Sequence, residues 1–365
     1  MKLECEIEKI KNAIFQTERV VGRNLTLPVL NSILLLASGK SLKLRATNLS
    51  LGIEVEIPAK VGKEGILAIP GRVLADIFSN LSQNESLQLE ENNGNLSIKT
   101  KKSRIKIKSQ PAEDFPTLPL VSGNSFSLDS KKLIEGIKSV YYSSAVSDIK
   151  PEISSVYLYT EEDNLIFVST DSFRLAEKKI RSKSSEEIPV ILIPFKNVSE
   201  ILRIFGEITG ELKICFNQNQ ISFSSDNVYL TSRVIDGVFP DYRQIIPKQY
   251  KTEAIVLRQD LLDALKISNI FSDKFNQVNL SIKPKEKIFE LSSSNNEVGE
   301  NKTQVDGALS GENVELSFNY KYFLDTFQSI NTDSVCIKLN QTAKPMVISG
   351  VSDNSFIYLI MPMNR

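Results

Sequence analysis

The chain repeats itself three times with a period near 124 residues. The segment Ile69-Pro70-Gly71-Arg72-Val73-Leu74 returns 124 residues later as Ile193-Pro194-Phe195-Lys196-Asn197-Val198. It returns after a further 125 residues as Phe318-Asn319-Tyr320-Lys321-Tyr322-Phe323. Phe115-Pro116 answers Phe239-Pro240 at 124, and Thr47-Asn48-Leu49 answers Thr170-Asp171-Ser172 at 123. A period this long is the size of a domain and far above the 20–50 residues of a solenoid unit. A chain of 365 residues accommodates three domains of about 120 residues each. The proline-rich stretches Pro116-Thr117-Leu118-Pro119 and Pro240 to Pro247 read as linkers, which predicts domains at 1–122, 123–248 and 249–365.

Each repeat has the same order of elements. A short alternating strand opens it, marked by Leu3/Cys5/Ile7, Phe126/Leu128 and Ile255/Leu257. A helix follows, with apolar stripes Ile7/Ile10/Ile14, Leu133/Ile137/Val140 and Leu261/Leu262/Leu265 at helical spacing. Strands come next, then a second helix starting at Pro70, Pro194 and Asn319 with stripes Val73/Ile77/Leu81, Ile201/Ile204/Phe205 and Phe323/Leu324/Phe327. Further strands close the repeat, with tight turns at Gly94 and Asn219. The predicted fold class is α+β: three tandem copies of a two-helix, antiparallel-sheet domain.

Composition narrows the chemistry. The chain contains no histidine. That removes imidazole general bases and the Ser-His-Asp and Cys-His nucleophiles. Cys5, Cys215 and Cys336 are far apart and alternate with apolar residues, so they read as small buried hydrophobes rather than disulfides or metal ligands. No glycine-rich phosphate loop, CxxC pair or carboxylate constellation is present, and neither a cofactor nor a metal is expected. The charged opening Met1-Lys2-Leu3-Glu4-Cys5-Glu6 is no signal peptide, and the longest apolar run, 357–363, is too short for a membrane span. The expectation is a cytoplasmic protein.

Formal net charge is zero, with 44 basic and 44 acidic residues. Any nucleic-acid role must therefore rest on how the charge is distributed. The fourth position of the recurring segment is basic each time, Arg72, Lys196 and Lys321, with Asp76, Glu200 and Asp325 four residues later. One reading is three i,i+4 ion pairs on solvated faces. Cation-first is the weaker order, however, and a cation near a helix N-terminus opposes the macrodipole. Its threefold recurrence also fits a use outside the domain, such as phosphate contact. The first helices carry cations too, among them Lys9, Lys11 and Arg19, then Lys131, Lys132 and Lys138, then Arg258 and Lys266, with acids between them. Asp171 and Ser172 could be mistaken for catalytic groups. Ser172 has no histidine to activate it, and Asp171 is predicted to bond backbone N–H groups in a turn. The apolar end at Met361-Pro362-Met363 reads as a core strand running into an adaptable peptide-binding surface.

Several of these segments together resemble the DNA polymerase III beta subunit family, the bacterial sliding clamps. They are Thr170-Asp171-Ser172-Phe173-Arg174-Leu175-Ala176, Phe239-Pro240-Asp241-Tyr242-Arg243, Pro111-Ala112-Glu113-Asp114-Phe115-Pro116, Leu27-Pro28-Val29-Leu30 and Met361-Pro362-Met363. The resemblance runs the whole chain in the family's order. It implies a non-enzymatic, head-to-tail homodimeric ring that encircles duplex DNA without sequence preference and confers processivity. By position it implies DNA-facing Arg23, Arg72, Lys196 and Arg203, joined by Lys321 through the repeat. It implies a groove that takes short peptides from polymerase subunits, the clamp loader and repair proteins. The groove maps onto Ile153, Thr170, Ser172, Phe173, Arg174, Leu175, Pro240, Gln244, Ile245, Pro345, Leu359, Met361, Pro362 and Met363. It implies a seam pairing the strand around Ile105 and Ile107 with Ile270 and Phe271 of a second copy. Ser172-Phe173 replaces the family's common Gly-His, so Ser172 is expected to hold an ordinary φ. Gln244 stands where a cation is frequent. Two other classes remain for comparison: a three-domain protein-binding scaffold that never encircles DNA, and a metal-dependent nuclease or phosphatase using acids such as Asp171 and Asp241.

Overall fold

The computed structural model describes residues 1–22, 26–81, 86–147, 149–182, 188–341 and 344–363. The first repeat comprises β1 (Lys2–Glu6), α1 (Ile7–Glu18), β2 (Ser32–Ser38), β3 (Ser41–Thr47), β4 (Leu51–Pro58), β5 (Lys60–Lys63), β6 (Gly65–Pro70), α2 (Gly71–Ser79), β7 (Ser86–Asn92), β8 (Asn95–Lys99) and β9 (Arg104–Lys108). The second comprises β10 (Asn124–Asp129), α3 (Ser130–Val140), β11 (Ser155–Glu161), β12 (Asn164–Thr170), β13 (Arg174–Arg181), β14 (Ile191–Pro194), α4 (Phe195–Phe205), β15 (Glu211–Phe216), β16 (Gln220–Ser224) and β17 (Val228–Arg233). The third comprises β18 (Thr252–Leu257), α5 (Arg258–Ile270), β19 (Gln277–Lys283), β20 (Ile288–Asn295), β21 (Gly299–Gln304), β22 (Gly307–Gly311), β23 (Val314–Asn319), α6 (Tyr320–Asp325), β24 (Ser334–Leu339), β25 (Met346–Gly350) and β26 (Phe356–Ile360).

Alternation places Leu3 and Cys5 of β1 inward and Glu4 and Glu6 outward, as a half-buried strand requires. α1 buries Ile7, Ile10 and Ile14 as the periodicity predicts, together with Ala13 and Thr17. α5 buries Leu261 and Leu265, but its third core position is Ala264, while Leu262 is only half-buried. The second helices begin one residue later than predicted. Pro70 and Pro194 end strands β6 and β14, so each proline sits just before its helix rather than in the first turn. Asn319 holds the same position before α6, where its side chain accepts the N–H of Lys321 at 3.0 Å and caps the helix. α2 also departs from the predicted stripe. It buries Leu74 and Phe78, whereas Val73 is 41% exposed and Ile77 and Leu81 are half-buried. Cys5 and Cys336 are buried and Cys215 is half-buried, all three as free thiols. Burial pushes the Cys5 thiol up to about 12, so it stays protonated and inert.

The strands form four antiparallel sheets. β5-β1-β7-β8-β9 belongs to the first repeat and β21-β20-β19-β23 to the third. The other two cross repeat boundaries. An eight-stranded sheet runs β10-β15-β16-β17-β4-β3-β2-β6, where β17 pairs β4 with Leu230 opposite Ile53. A nine-stranded sheet runs β14-β11-β12-β13-β26-β25-β24-β18-β22, where β13 pairs β26 with Leu175 opposite Leu359. Each crossing joins the last strand of one repeat to the strand after the β3–β4 or β12–β13 turn of another. The chain accordingly gathers into two compact units, Met1–Lys131 with Ser199–Val234, and Lys132–Val198 with Ile235–Arg365.

The turns before those joining strands share one construction. Thr47 Oγ1 accepts the Leu49 N–H at 3.0 Å and donates to the Leu51 carbonyl at 2.9 Å. Asn48 Oδ1 accepts the N–H groups of Ser50 and Leu51. In the second repeat Thr170 Oγ1 accepts from Ser172 at 3.1 Å and donates to the Arg174 carbonyl at 2.7 Å, while Asp171 Oδ1 accepts from Phe173 and Arg174. Asp171 is thus the turn residue that the sequence predicts. The third repeat keeps part of the device, with Asn295 Oδ1 accepting the Glu297 N–H at 2.9 Å.

Candidate functional site

An open pocket of about 190 Å³ lies on the β13–β26 join. It is lined by every groove residue named from the sequence except Gln244, Pro362 and Met363. The lining adds two residues that sequence reasoning missed, Asp241 and Tyr242. Both belong to the Phe239-Pro240-Asp241-Tyr242-Arg243 run, which was the available signal. Beneath the pocket Ile166, Val168, Leu175, Leu192, Phe239, Tyr242, Val347 and Leu359 form one core cluster. Tyr157 stacks on Phe239 with ring centroids 4.5 Å apart. The wall is therefore apolar and rigidly backed, the character of a site for bulky aliphatic or aromatic side chains.

Hydrogen-bonded polar groups, buried at Tyr242 and Glu177 and open to solvent at Arg243 and Glu161, hold this wall in place. The Tyr242 hydroxyl donates to Glu177 Oε2 and lies 2.8 Å from the Tyr159 hydroxyl. Arg243 donates to the Tyr159 hydroxyl and to Glu161 Oε1, both at 2.7 Å. Burial, together with the neighbouring Glu177 carboxylate, pushes the Tyr242 phenol well above its ordinary range, so it remains a donor. This chain of bonds fixes the short 3-10 helix Tyr242–Ile245 that presents Ile245 to the pocket. Gln244 instead donates to Asp241 Oδ2 at 2.8 Å.

Ser172 is where expectation and structure part. Its φ is +77°, not an ordinary negative value. The equivalent Leu49 has φ +71°. The Thr and Asx side chains bond the following N–H groups and fold the chain back on itself, so the turn imposes the left-handed conformation whatever residue follows. The turn displays Phe173, 61% exposed, at the pocket mouth. The Phe173 carbonyl accepts the Met361 N–H at 2.8 Å, and the Ser317 carbonyl accepts the Met363 N–H at 2.8 Å. The C-terminal strand is thereby stitched along the groove, with Met361 inside the pocket and Met363 beyond it.

Arg174 is the cation of the wall. It donates to Asp171 Oδ2 at 2.9 Å and to Asp325 Oδ2, and its guanidinium lies 4.5 Å from the Tyr322 ring centroid. Burial works against its charge, but Tyr358, Asp171 and Asp325 outweigh it and raise its pKa further. Arg72 meets Asp76 at 3.5 Å, as in the ion-pair reading, while Arg203 pairs with Glu200 at 2.8 Å and Arg174 with Asp325. Arg72, Lys196 and Lys321 each occupy the second residue of their helix and are exposed. Arg203 is in the last turn of α4. Arg23 lies outside the described residues.

Of the predicted seam residues, Ile105 is half-buried and Ile107 buried on β9. Ile270 closes α5 and is 62% exposed, and Phe271 packs beside Gly299 at the start of β21. Among the described residues no group of three or more His, Cys, Asp or Glu could hold a metal ion. No helix there is long and apolar enough to cross a membrane.

Comparison with known proteins covers the chain from end to end. The sequence models for the DNA polymerase III beta subunit match its N-terminal domain at residues 1–119, its central domain at 127–241 and its C-terminal domain at 243–364. The beta sliding clamp of Synechococcus elongatus is 29% identical over 372 residues, covering 100% of this chain and 99% of that protein. The beta sliding clamp of Pseudomonas aeruginosa is 29% identical over 352 residues, covering 94% of each. Among solved structures, the P. aeruginosa DNA polymerase III subunit beta superposes with a TM-score of 0.94 at 26% identity and full coverage of both chains. The Bacillus subtilis sliding clamp shares the fold with a TM-score of 0.95 at 23% identity, covering 100% of this chain and 99% of that one. The chain belongs to the DNA polymerase III beta subunit family, the beta sliding clamps, whose work is processivity and not catalysis.

Proposed function

We propose that two copies of this chain close head to tail into a ring around duplex DNA, and that the pocket on the β13–β26 join receives short peptides from polymerase subunits, the clamp loader and repair proteins. The observation that carries this reading is an unfinished pattern of strand pairing. The last strands of the second and third repeats, β17 and β26, pair β4 and β13 within the chain. The last strand of the first repeat, β9, and the remaining strand of the other set, β21, are both sheet edges. Pairing β9 of one copy with β21 of another supplies the missing join twice over. A heterologous contact that repeats in this way closes a ring when the rotation allows.

The helices beside those edges support the same pairing. In α4, Ile201 and Phe205 are fully buried. Their counterparts Ile77 and Leu81 in and after α2 are only half-buried, beside exposed Val73. On the α5 side Ile267, Ile270, Phe275 and Val298 are exposed. These two apolar patches would cover one another across the seam, alongside Ile105, Ile107 and Phe271. Exposed Arg104, Lys106 and Lys108 on β9 would face a β21 region carrying Glu297 and Glu300. Domains at 1–122, 123–248 and 249–365 would each occur twice in the ring.

Arg23, Arg72, Lys196, Arg203 and Lys321 are assigned to loose contact with DNA phosphates, which is sequence-blind and weakens with salt. Peptide affinity would come from apolar side chains entering the pocket and from backbone hydrogen bonds along its rim. The protein would act in the bacterial cytoplasm. The test is loading by a clamp loader and ATP on closed circular and on linear duplex, followed by gel filtration at elevated salt. Retention on circles with loss on linearisation is the expected result. Equal, salt-sensitive loss from both, with a known clamp loading in parallel, would leave a protein-binding scaffold as the better reading.

A further inference from the structure

The pocket on the β13–β26 join has two charged side chains in its lining, Arg174 and Asp241, and they do not balance. Arg174 is held between Asp171 at 2.9 Å and Asp325, its guanidinium lies against the Tyr322 ring, and its side chain is 11% exposed. Two carboxylates already answer its one positive charge, so it has none to offer a carboxylate from outside. Asp241 is exposed, and its Oδ2 accepts the neutral Gln244 amide at 2.8 Å. It has no ion pair among the described residues. The cation next to it in the chain, Arg243, is turned to Glu161 at 2.7 Å and to the Tyr159 hydroxyl. The wall and its direct partners therefore set one guanidinium against three carboxylates, those of Asp171, Asp241 and Asp325. The flanking segments do not reverse the sign. Lys344, beside Pro345, adds one exposed cation, while Lys150 and Glu152, just before Ile153, are of opposite charge.

We infer that this groove selects its peptides by charge, favouring a lysine or arginine beside the apolar anchors and disfavouring an aspartate or glutamate there. The inference deepens the peptide-binding reading and rests on it. Position 244 sets the sign at the rim. Asp241 caps the short 3-10 helix Tyr242–Ile245, and residues three apart on such a helix lie over one another. A cation at 244 would cancel the Asp241 charge, whereas Gln244 bonds the same carboxylate and leaves its charge in place. Phe173 favours the same class of peptide. It stands 61% exposed at the pocket mouth. An aromatic face takes the methylene stem and the charge of a lysine or arginine, and offers a carboxylate neither. The apolar pocket itself receives the anchors, so the charged residue stays at the wet rim. There each exposed charge pair shifts an equilibrium by about 1.4- to 5-fold, which makes this a selectivity laid over apolar burial.

The test is fluorescence anisotropy with three labelled synthetic peptides that share a Leu-Leu-Phe core and are flanked on both sides by Lys, by Ser or by Asp. At low salt the Lys peptide should bind about fivefold tighter than the Asp peptide, with the Ser peptide between them. The ratio should shrink between about 50 and 500 mM NaCl as salt screens the rim. Asp241→Asn and Gln244→Arg should each bring the ratio toward one. Met361→Ala should weaken all three peptides, which locates them in the groove. Equal affinities of the Lys and Asp peptides for the wild-type protein overturn the inference. So does a ratio that neither substitution at 241 nor at 244 moves, or a Lys peptide that binds Met361→Ala as tightly as wild type. If none of the three peptides binds, the peptide-binding reading itself falls, and the charge selectivity with it.

Discussion

At the scale of single residues the groove depends on a turn that one side chain makes uncomfortable. Ser172 sits at φ +77° because Thr170 and Asp171 fold the chain around it. A β-branched residue in that conformation is strained by about 1–3 kcal/mol. Ser172→Val should lower stability by that amount in denaturant unfolding, whereas Ser172→Gly should leave it equal or raise it. A Ser172→Val variant as stable as wild type would mean that the turn relaxes without consequence. The two terminal methionines also separate in role. Met361 lines the pocket, while Met363 is tied by its backbone to Ser317. Met361→Ala should weaken binding of a partner peptide by about 1–2 kcal/mol, roughly five- to thirtyfold, and Met363→Ala by less than about twofold. Equal losses in a calorimetric titration would place both side chains in the site. The Asx turn at Asp171 was legible in the sequence because it depends on neighbours two and three residues away. The φ of Ser172 was not, because the residue type alone favours the opposite sign.

At the scale of elements, periodicity found the helices but could not say what covers them. α2 has two apolar stripes one position apart, Leu74/Phe78 and Val73/Ile77/Leu81, and either satisfies a helical repeat. The structure buries the first and leaves the second only partly covered, with Val73 exposed and Ile77 and Leu81 half-buried. Such a stripe is the normal sign of an interface still to be made. The same holds at the end of α5, where Ile267 and Ile270 are exposed one turn apart. Ile270→Asp places a charge in the proposed seam and removes its apolar burial. It should weaken the dimer by at least about 2 kcal/mol, roughly thirtyfold in dissociation constant. Sedimentation velocity across a dilution series reads this directly, and an unchanged dimer would move the seam away from α5.

At the scale of the whole molecule, the threefold period established the number of repeats but not how they are joined. Sheets that cross repeat boundaries divide the chain into two units, and the cut falls inside the second repeat. The apolar end at Met361-Pro362-Met363 already read as a peptide-binding surface, but the full lining of the groove was legible only through the resemblance. Its lining comes from Ile153, the turn before β13, the run from Pro240 to Ile245, Pro345 and the end of β26, and no periodicity links positions so far apart. One consequence of this layout separates the two proposed activities. Every pocket residue belongs to the unit formed by Lys132–Val198 and Ile235–Arg365, and its backing cluster does too. The proposed seam is made by β9 and α2 of one copy, which belong to the other unit, and by β21 and α5 of the second, which share the pocket's unit but supply none of its lining residues. Ile270→Asp should therefore keep the wild-type peptide affinity within about twofold while failing to stay on closed circular DNA, since distant sites without shared partners behave independently. If the same variant bound no peptide at an unchanged melting temperature, the groove would depend on the closed ring, and the two functions could not be assigned to separate parts of the chain.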